Sequence, residues 1–142
     1  SVAVVIRTAG LYSVYGNNFV KTMRRLGAEK DSINVVADQI GSPTYAGDLA
    51  DAIVQIIPQM TRENSGIYHF TNEGVCSWFD FATQIMESSG LNCVVRPIKS
   101  WQYPTRAVRP FYSVLDKDKI KSVFGIEIQH WKKGLEKCLK QF

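Results

Sequence analysis

The sequence is poor in cysteine and contains no long apolar run. Its three cysteines, Cys76, Cys93 and Cys138, are odd in number and far apart, with no CxxC pair. This pattern argues against a disulfide framework or a zinc site, and it is typical of a reducing cytoplasm, so we expect three free thiols. No apolar stretch approaches the roughly 20 residues that cross a bilayer, and residues 1–7 have no basic segment before their apolar run, so neither a membrane span nor a signal peptide is expected.

The sequence also lacks the motifs of a self-sufficient active site. It has no GxGxxG or GxxxxGK[ST] turn, no GxSxG elbow and no HExxH pair. Its two histidines, His69 and His130, fall in a predicted strand and at a predicted helix start, where structural roles are the more common ones. The carboxylates are scattered, without an obvious acid–base pair. We therefore expect no catalytic residue, no metal site and no cofactor site within this chain.

The net charge of +4 is confined to one end of the chain. Residues 1–116 hold ten basic and ten acidic residues, whereas residues 117–142 hold seven lysines and three acidic residues. Lysines on an exposed helical face usually only solvate that face. Nucleic-acid binding is therefore not expected, and such binding would weaken steeply with salt.

Strand and helix patterns alternate along the chain, which predicts an α/β fold. Residues 2–6 are mostly β-branched and predict a central parallel strand covered on both faces. Further strands are expected over residues 33–37, 66–71 and 93–98, the last ending at Pro97 or soon after. Apolar residues make up 45% and charged residues 21% of the sequence, as in an ordinary globular domain.

Residues 35–57 combine an apolar run, a turn with Gly41 and Pro43, and a helical pattern. A strand that passes through a glycine and proline loop into a helix often forms a ligand-facing edge. The expected apolar face of this helix consists of Leu49, Ala52, Ile53, Ile56 and Ile57.

Three further helices carry clear start signals. Asn17 or Asn18 is suited to cap the first helix, Ser77 with Asp80 resembles a capping box, and Asp116 is expected to cap a short helix that ends at Gly125. The helix after Ser77 has an aromatic and apolar stripe that favours core packing over base stacking, namely Trp78, Phe81, Ala82, Ile85 and Met86.

Three loops could converge at one edge of the sheet, over residues 7–19, 38–47 and 103–113. Arg109 is the most informative side chain among them, because it lies in a loop between extended segments and precedes the rigid Pro110. A guanidinium can bind phosphate oxygens in a bidentate way. A salt bridge or a merely exposed position for Arg109 is an equally open interpretation.

Several segments together carry a family resemblance. They are Arg7-Thr8-Ala9-Gly10-Leu11-Tyr12, Gly16-Asn17-Asn18-Phe19-Val20-Lys21-Thr22-Met23, Asp38-Gln39-Ile40-Gly41-Ser42-Pro43-Thr44, Asp48-Leu49-Ala50 and Arg109-Pro110-Phe111-Tyr112-Ser113-Val114-Leu115-Asp116. In order and spacing, they resemble the dTDP-4-dehydrorhamnose reductases, a family of extended short-chain dehydrogenase/reductases. Members of that family reduce the C4 keto group of dTDP-6-deoxy-L-lyxo-4-hexulose with NADPH or NADH, giving dTDP-L-rhamnose.

The resemblance implies that this chain is the C-terminal portion of such a reductase. Residues 1–60 would form the end of a Rossmann-type parallel sheet with substrate loops, and residues 61–142 a small substrate-binding lobe. The family's dinucleotide-binding glycines, catalytic Thr and Tyr-x-x-x-Lys pair precede the strand at residue 2. We therefore expect the chain alone to be inactive and to bind no cofactor.

The resemblance also implies a set of substrate-binding residues. The family places a substrate-contacting Trp where this sequence has Gly10, a departure for which Leu11, Tyr12 or a shift of the loop is expected to compensate. Asn18 and Phe19 correspond to a segment that approaches the nucleotide, and the loop that begins at Gln39 is expected to line the base and ribose. Arg109 matches an arginine that binds the diphosphate.

Two further expectations concern partners. A non-catalytic binding protein on the same scaffold, like the β-subunit of methionine adenosyltransferase, is the alternative to a reductase. A sheet whose first strand lacks neighbours exposes its edges, which predicts a homodimer or a swapped assembly.

Overall fold

Short strands and five α-helices alternate along residues 1–142, all of which are described by a computed structural model. The strands are β1 (Val4–Arg7), β2 (Leu11–Tyr12), β3 (Ser32–Val36), β4 (Ile40–Gly41), β5 (Thr44–Tyr45), β6 (Gly66–His69), β7 (Cys76–Ser77) and β8 (Val94–Ile98). The helices are α1 (Phe19–Glu29), α2 (Ala46–Ile56), α3 (Trp78–Ser88), α4 (Asp118–Phe124) and α5 (Trp131–Leu139), with 3₁₀ turns at Ile57–Gln59 and Ser100–Gln102. The expected α/β class is confirmed.

The strands pair two by two, and every pair joins segments that are distant in sequence. β1 pairs with β6, β2 with β5 and β3 with β8, all in parallel, while β4 pairs with β7 in antiparallel fashion. Parallel neighbours require crossover connections, which the intervening helices supply. The loops that follow β1 and β3 approach one another, because the N–H of Thr44 donates to the carbonyl of Gly10 (3.0 Å).

The prediction that residues 2–6 form a strand covered on both faces is wrong. The strand spans Val4–Arg7, and its side chains alternate between half-buried and exposed. Val5 is 55% exposed and its register partner Ile67 is 46% exposed, because one face of the β1–β6 pair is open to solvent. Self-association of the chain through such surfaces stays a prediction.

Two clusters of buried apolar side chains form the core. The larger one packs α1, α3 and α5 against β3, and the smaller one packs α2 and α4 against β6. Each cluster combines residues from both sides of residue 60, and a division of the chain at that point stays a prediction. The apolar face of α2 is narrower than expected, because Ala52 and Ile56 are buried whereas Ile53 and Ile57 are exposed.

The lysine-rich end of the chain is not merely a solvated face. Lys117 is only 7% exposed, and its Nζ lies 3.2 Å from a carboxylate oxygen of Glu73. Burial works to raise the pKa of Glu73, but hydrogen bonds from Lys121 and Lys117 outweigh it and lower that pKa. The N-cap position of α4 falls at Lys117, one residue later than expected, but the expected capping by Asp116 is present, because its carboxylate accepts the N–H of Asp118 (2.9 Å), the first residue of the helix.

The three cysteines are buried free thiols, as expected. No group of three or more His, Cys, Asp or Glu side chains is arranged to hold a metal ion. None of the helices combines the length and the apolar character required to cross a membrane.

The Asn18 amide caps α1 through its oxygen and binds the preceding loop through its nitrogen. Its Oδ1 accepts the N–H of Lys21 (3.2 Å), and its Nδ2 donates to the carbonyl of Ser13 (2.7 Å). We predict that Asn18→Ala lowers the free energy of unfolding by about 1 to 2 kcal/mol, measured by urea denaturation. The exposed neighbour Asn17 is the matched control, and Asn17→Ala should cost under about 0.5 kcal/mol. Equal losses at the two positions would contradict this assignment of the cap.

Candidate functional site

A cleft of about 460 Å³ opens where the loops that follow β1, β3 and β8 meet the start of α3. The three loops expected to converge thus each contribute to one site, together with a fourth segment that had not been expected there. The lining residues are Ala9, Gly10, Gln39, Ile40, Gly41, Ser42, Pro43, Cys76, Ser77, Trp78, Phe81, Arg109, Pro110 and Ser113.

Backbone hydrogen bonds of Ile40 and Gly41 join three parts of this lining. On one side, Ile40 and Gly41 pair in antiparallel register with Ser77 and Cys76. On the other side, the N–H of Ile40 donates to the carbonyl of Phe111 (2.8 Å), and the N–H of Ser113 donates to the carbonyl of Ile40 (2.9 Å). The middle of the cleft is therefore held by main-chain geometry.

A tight turn at Gly10 shapes another part of the cleft. Gly10 has a φ of +59°, and its carbonyl accepts the N–H of Thr44 (3.0 Å). A Cβ at Gly10 would lie 3.2 Å from the Cα of Pro43. The positive φ and the close backbone of Pro43 thus both disfavour any side chain here, including the tryptophan of the resembled family, so Gly10 lines the cleft with main-chain atoms only.

A hydrogen-bonded group behind the cleft holds Gln39. The carboxylate of Asp38 accepts both the N–H (2.9 Å) and the hydroxyl (2.7 Å) of Ser100. These hydrogen bonds from Ser100 lower the pKa of the Asp38 carboxyl. The Nε2 of Gln39 donates to the same Ser100 hydroxyl oxygen (3.1 Å).

Aromatic rings form one side of the cleft at the start of α3. The Trp78 ring lies 4.8 Å from that of Phe19, which in turn stacks on Phe81 at 5.5 Å between centroids. Phe81 is buried as expected, but Trp78 is 36% exposed and lines the cleft. The assignment of Trp78 to the core is wrong, because the first residue of α3 lies at the cleft and not within the helix packing.

Arg109 is the one charged side chain among the lining residues. It is exposed and takes part in none of the ion pairs of the structure. Cys76 also lines the cleft, but burial, with a smaller effect of the nearby Asp80 carboxylate, raises the pKa of its thiol to about 12. With one cation and no carboxylate in its lining, the cleft is suited to bind an anion.

The structure brings together half of the expected substrate-binding residues. Gly10, Gln39 and Arg109 line the cleft, while Leu11 is half exposed outside its lining. Asn18 uses its amide to cap α1, and Phe19 packs against Trp78.

The contribution of residues 76–81 was missed by the sequence reasoning. They reach the cleft through the pairing of β7 with β4, which is a contact between distant segments. The one local signal was the capping box at Ser77, which places a helix start, and hence Trp78, at the end of a short strand.

Known proteins with similar sequences cover almost the whole of this chain. Residues 1–142 match the family described as the RmlD substrate binding domain. The spore coat polysaccharide biosynthesis protein SpsK of Bacillus subtilis (strain 168) is 42% identical over 139 residues, covering 98% of this chain and 47% of SpsK. The dTDP-4-dehydrorhamnose reductase of Aggregatibacter actinomycetemcomitans is 43% identical over 143 residues, covering 94% of this chain and 49% of the reductase.

A solved structure agrees with these matches. The dTDP-4-dehydrorhamnose reductase of Bacillus anthracis str. Ames, crystallised in complex with NADP, has a TM-score of 0.92 and 40% identity, covering 98% of this chain and 48% of that one. The chain thus spans about half the length of the relatives that it matches.

The close approach at Gly10 predicts an unequal response of two glycines to the same substitution. Gly10 and Gly16 both have positive φ, at +59° and +66°, but a Cβ at Gly16 would meet nothing within 4 Å. Gly16→Ala should cost only the left-handed strain, about 1 kcal/mol, whereas Gly10→Ala should cost about 2 to 3 kcal/mol because Pro43 must also move. Thermal or urea denaturation measures both, and indistinguishable losses would show that the turn relaxes freely.

The lowered pKa of Asp38 predicts a pH-dependent contribution to stability. Because the folded state holds the carboxyl below its ordinary pKa of 3.8, its contribution is fully present above that value and is lost as the pH falls through the folded pKa. The stability lost in Asp38→Asn should therefore be largest near neutral pH and should shrink below about pH 4. Asp31→Asn, at an exposed carboxylate, controls for removal of one charge. A difference that stays constant down to about pH 2 would contradict this role.

Proposed function

This chain belongs to the RmlD substrate-binding domain family, as its resemblance to the dTDP-4-dehydrorhamnose reductases predicted, and we propose that its cleft binds a dTDP-linked sugar. The observation that carries the proposal is the free guanidinium of Arg109, the one charged side chain in the lining. A nucleotide diphosphate needs a cation for its phosphates, and a guanidinium can bind two of their oxygens at once.

The remaining lining residues suit the uncharged parts of such a ligand. Trp78 offers an exposed aromatic ring, and Gln39 offers an amide for the base, the ribose or the sugar. Gly10 lets the main chain turn close to Pro43 and presents only backbone atoms to the cleft. Asn18 and Phe19 contribute indirectly, since one holds the loop before α1 and the other supports Trp78.

We assign the full activity, NADPH- or NADH-dependent reduction of a dTDP-4-keto sugar, to the protein of which this chain forms the substrate-binding part. The name of the A. actinomycetemcomitans relative and the NADP complex of the B. anthracis reductase support this assignment. β1 leads to the single turn glycine Gly10 and a second short strand, not to the glycine-rich helix start of a dinucleotide-binding βαβ unit. We therefore expect no turnover when this chain alone is mixed with NADPH and the keto sugar.

The binding proposal is tested by calorimetric titration with dTDP. Arg109→Ala should weaken binding by about 10- to 100-fold, because a charge-assisted contact to the diphosphate is lost. Arg106→Ala is the matched control, since Arg106 is an exposed arginine of the same loop that does not line the cleft, and it should change affinity less than about twofold. Arg109→Lys should fall between the two, because lysine keeps the charge but not the fork of donors.

Two results would overturn the proposal. Equal losses for Arg109→Ala and Arg106→Ala would show that only the general charge of the loop matters. Absence of dTDP binding by the unaltered protein, together with a stable protein partner, would favour the non-catalytic alternative.

A further inference from the structure

The amide of Gln39 has a donor side that is engaged and an acceptor side that is free. Its Nε2 donates to the hydroxyl oxygen of Ser100 (3.1 Å), and that hydroxyl donates to the carboxylate of Asp38 (2.7 Å). Gln39 itself is half-buried and lines the cleft. The three side chains therefore form a relay from the carboxylate to the cleft, termed here the Asp38–Ser100–Gln39 relay.

Counting hydrogens shows that the relay has one direction only. The pKa of the Asp38 carboxyl is lowered, so at neutral pH it is ionised and can only accept. The Ser100 hydroxyl has a single hydrogen, which it gives to Asp38, and its oxygen can then only accept from Gln39. The Gln39 amide must consequently present Nε2 to Ser100, because its carbonyl oxygen would find no donor there.

This orientation leaves the Oε1 of Gln39 without a hydrogen bond from the protein. A glutamine amide normally turns over easily and can offer either an acceptor or a donor to a ligand. If the Gln39 amide were rotated by half a turn, it would lose the hydrogen bond to Ser100, and its Oε1 would face the Ser100 hydroxyl oxygen, which is also an acceptor. The relay thus sets the chemical character of one point of the cleft.

We propose that Asp38 and Ser100 are positioning residues that hold Gln39 as a fixed hydrogen-bond acceptor for a donor group of the bound ligand. The proposal rests on the proposed function, which supplies the ligand. Two groups of a dTDP-linked sugar have the required chemistry, the imide N–H of the pyrimidine base and the hydroxyls of the sugar.

A fixed acceptor also implies that ligands which present another acceptor at the same position bind less well. A cytosine ring presents an unprotonated nitrogen where thymine presents its imide N–H, so an oxygen held at this position would meet a second acceptor. Unpaired or opposed polar groups are an effective means of rejecting a ligand. If the base is the donor, the relay favours dTDP over deoxycytidine diphosphate.

Ser100→Ala is the most selective variant, because it removes the hydroxyl and leaves the backbone N–H that Asp38 also accepts. It should weaken the binding of the responding ligand by about three- to tenfold, the range expected for one hydrogen bond. Ser100→Thr, which restores a hydroxyl, should bind within about twofold of the unaltered protein, as should Ser122→Ala at an exposed serine.

A double-mutant cycle with Gln39 tests whether Ser100 positions the Gln39 amide or only stabilises the loop. In a Gln39→Met background, Ser100→Ala should cause no further loss, because the amide that it orients is absent. A loss of the same size in both backgrounds would overturn the proposal, since it would show that Ser100 acts through the fold of the loop.

Three probe ligands identify the donor. If the imide is the donor, Ser100→Ala should weaken dTDP and reduce the preference for dTDP over deoxycytidine diphosphate. If a sugar hydroxyl is the donor, dTDP should be unaffected and dTDP-glucose weakened. Either result supports the fixed acceptor, and unchanged affinity for all three ligands would overturn it.

A measurement on the free protein tests the relay separately from binding. The side-chain NH₂ of Gln39 should show slowed hydrogen exchange in NMR spectra, and Ser100→Ala should abolish that protection. Unprotected Gln39 amide hydrogens in the unaltered protein would overturn the relay even if dTDP binds normally. Intact protection without any dTDP binding would instead overturn the proposed function, and with it the ligand-facing part of this inference.

Discussion

The cleft depends on main-chain hydrogen bonds at two consecutive residues, Ile40 and Gly41. Their backbone is the one place where the strand before α3 and the extended segment at Phe111 to Ser113 are both in hydrogen-bonding distance. Backbone donors and acceptors must be paired when they are withdrawn from water. The two segments that pair with Ile40 and Gly41 can therefore adopt few other positions.

The turn before β7 is held from the core side by a buried charge. Lys117 pairs with Glu73, and the next residue, Gly74, accepts a hydrogen bond from the Ser42 hydroxyl (2.6 Å). Removing Glu73 would leave the buried ammonium of Lys117 without its carboxylate, which is destabilising, whereas replacing both partners of such a pair can cost nothing. The ion pair therefore fixes the position of the turn at Glu73 and Gly74. Ser42, which lines the cleft, is held to that turn by its hydrogen bond to Gly74.

Much of the fold could be predicted from the sequence, because helix caps and apolar spacing are local signals. The capping box at Ser77 and the helix start at Asn18 are where the residue types place them. The convergence of three loops was expected from the segments that follow predicted strands, and the role of Arg109 from its position before Pro110. The inclusion of Trp78 and the relay through Ser100 could not be predicted, since both depend on contacts between segments more than thirty residues apart.

The absence of hairpins among the paired strands has a consequence for how the protein is made. Val4 finds its partner at Gly66, and Ser32 finds its partner at Val94, so each pairing must close a long loop before it gains any contact. During synthesis, the early strands emerge long before their partners exist. Since the cleft also needs Arg109 and Ser113, it can form only after these late segments have left the ribosome.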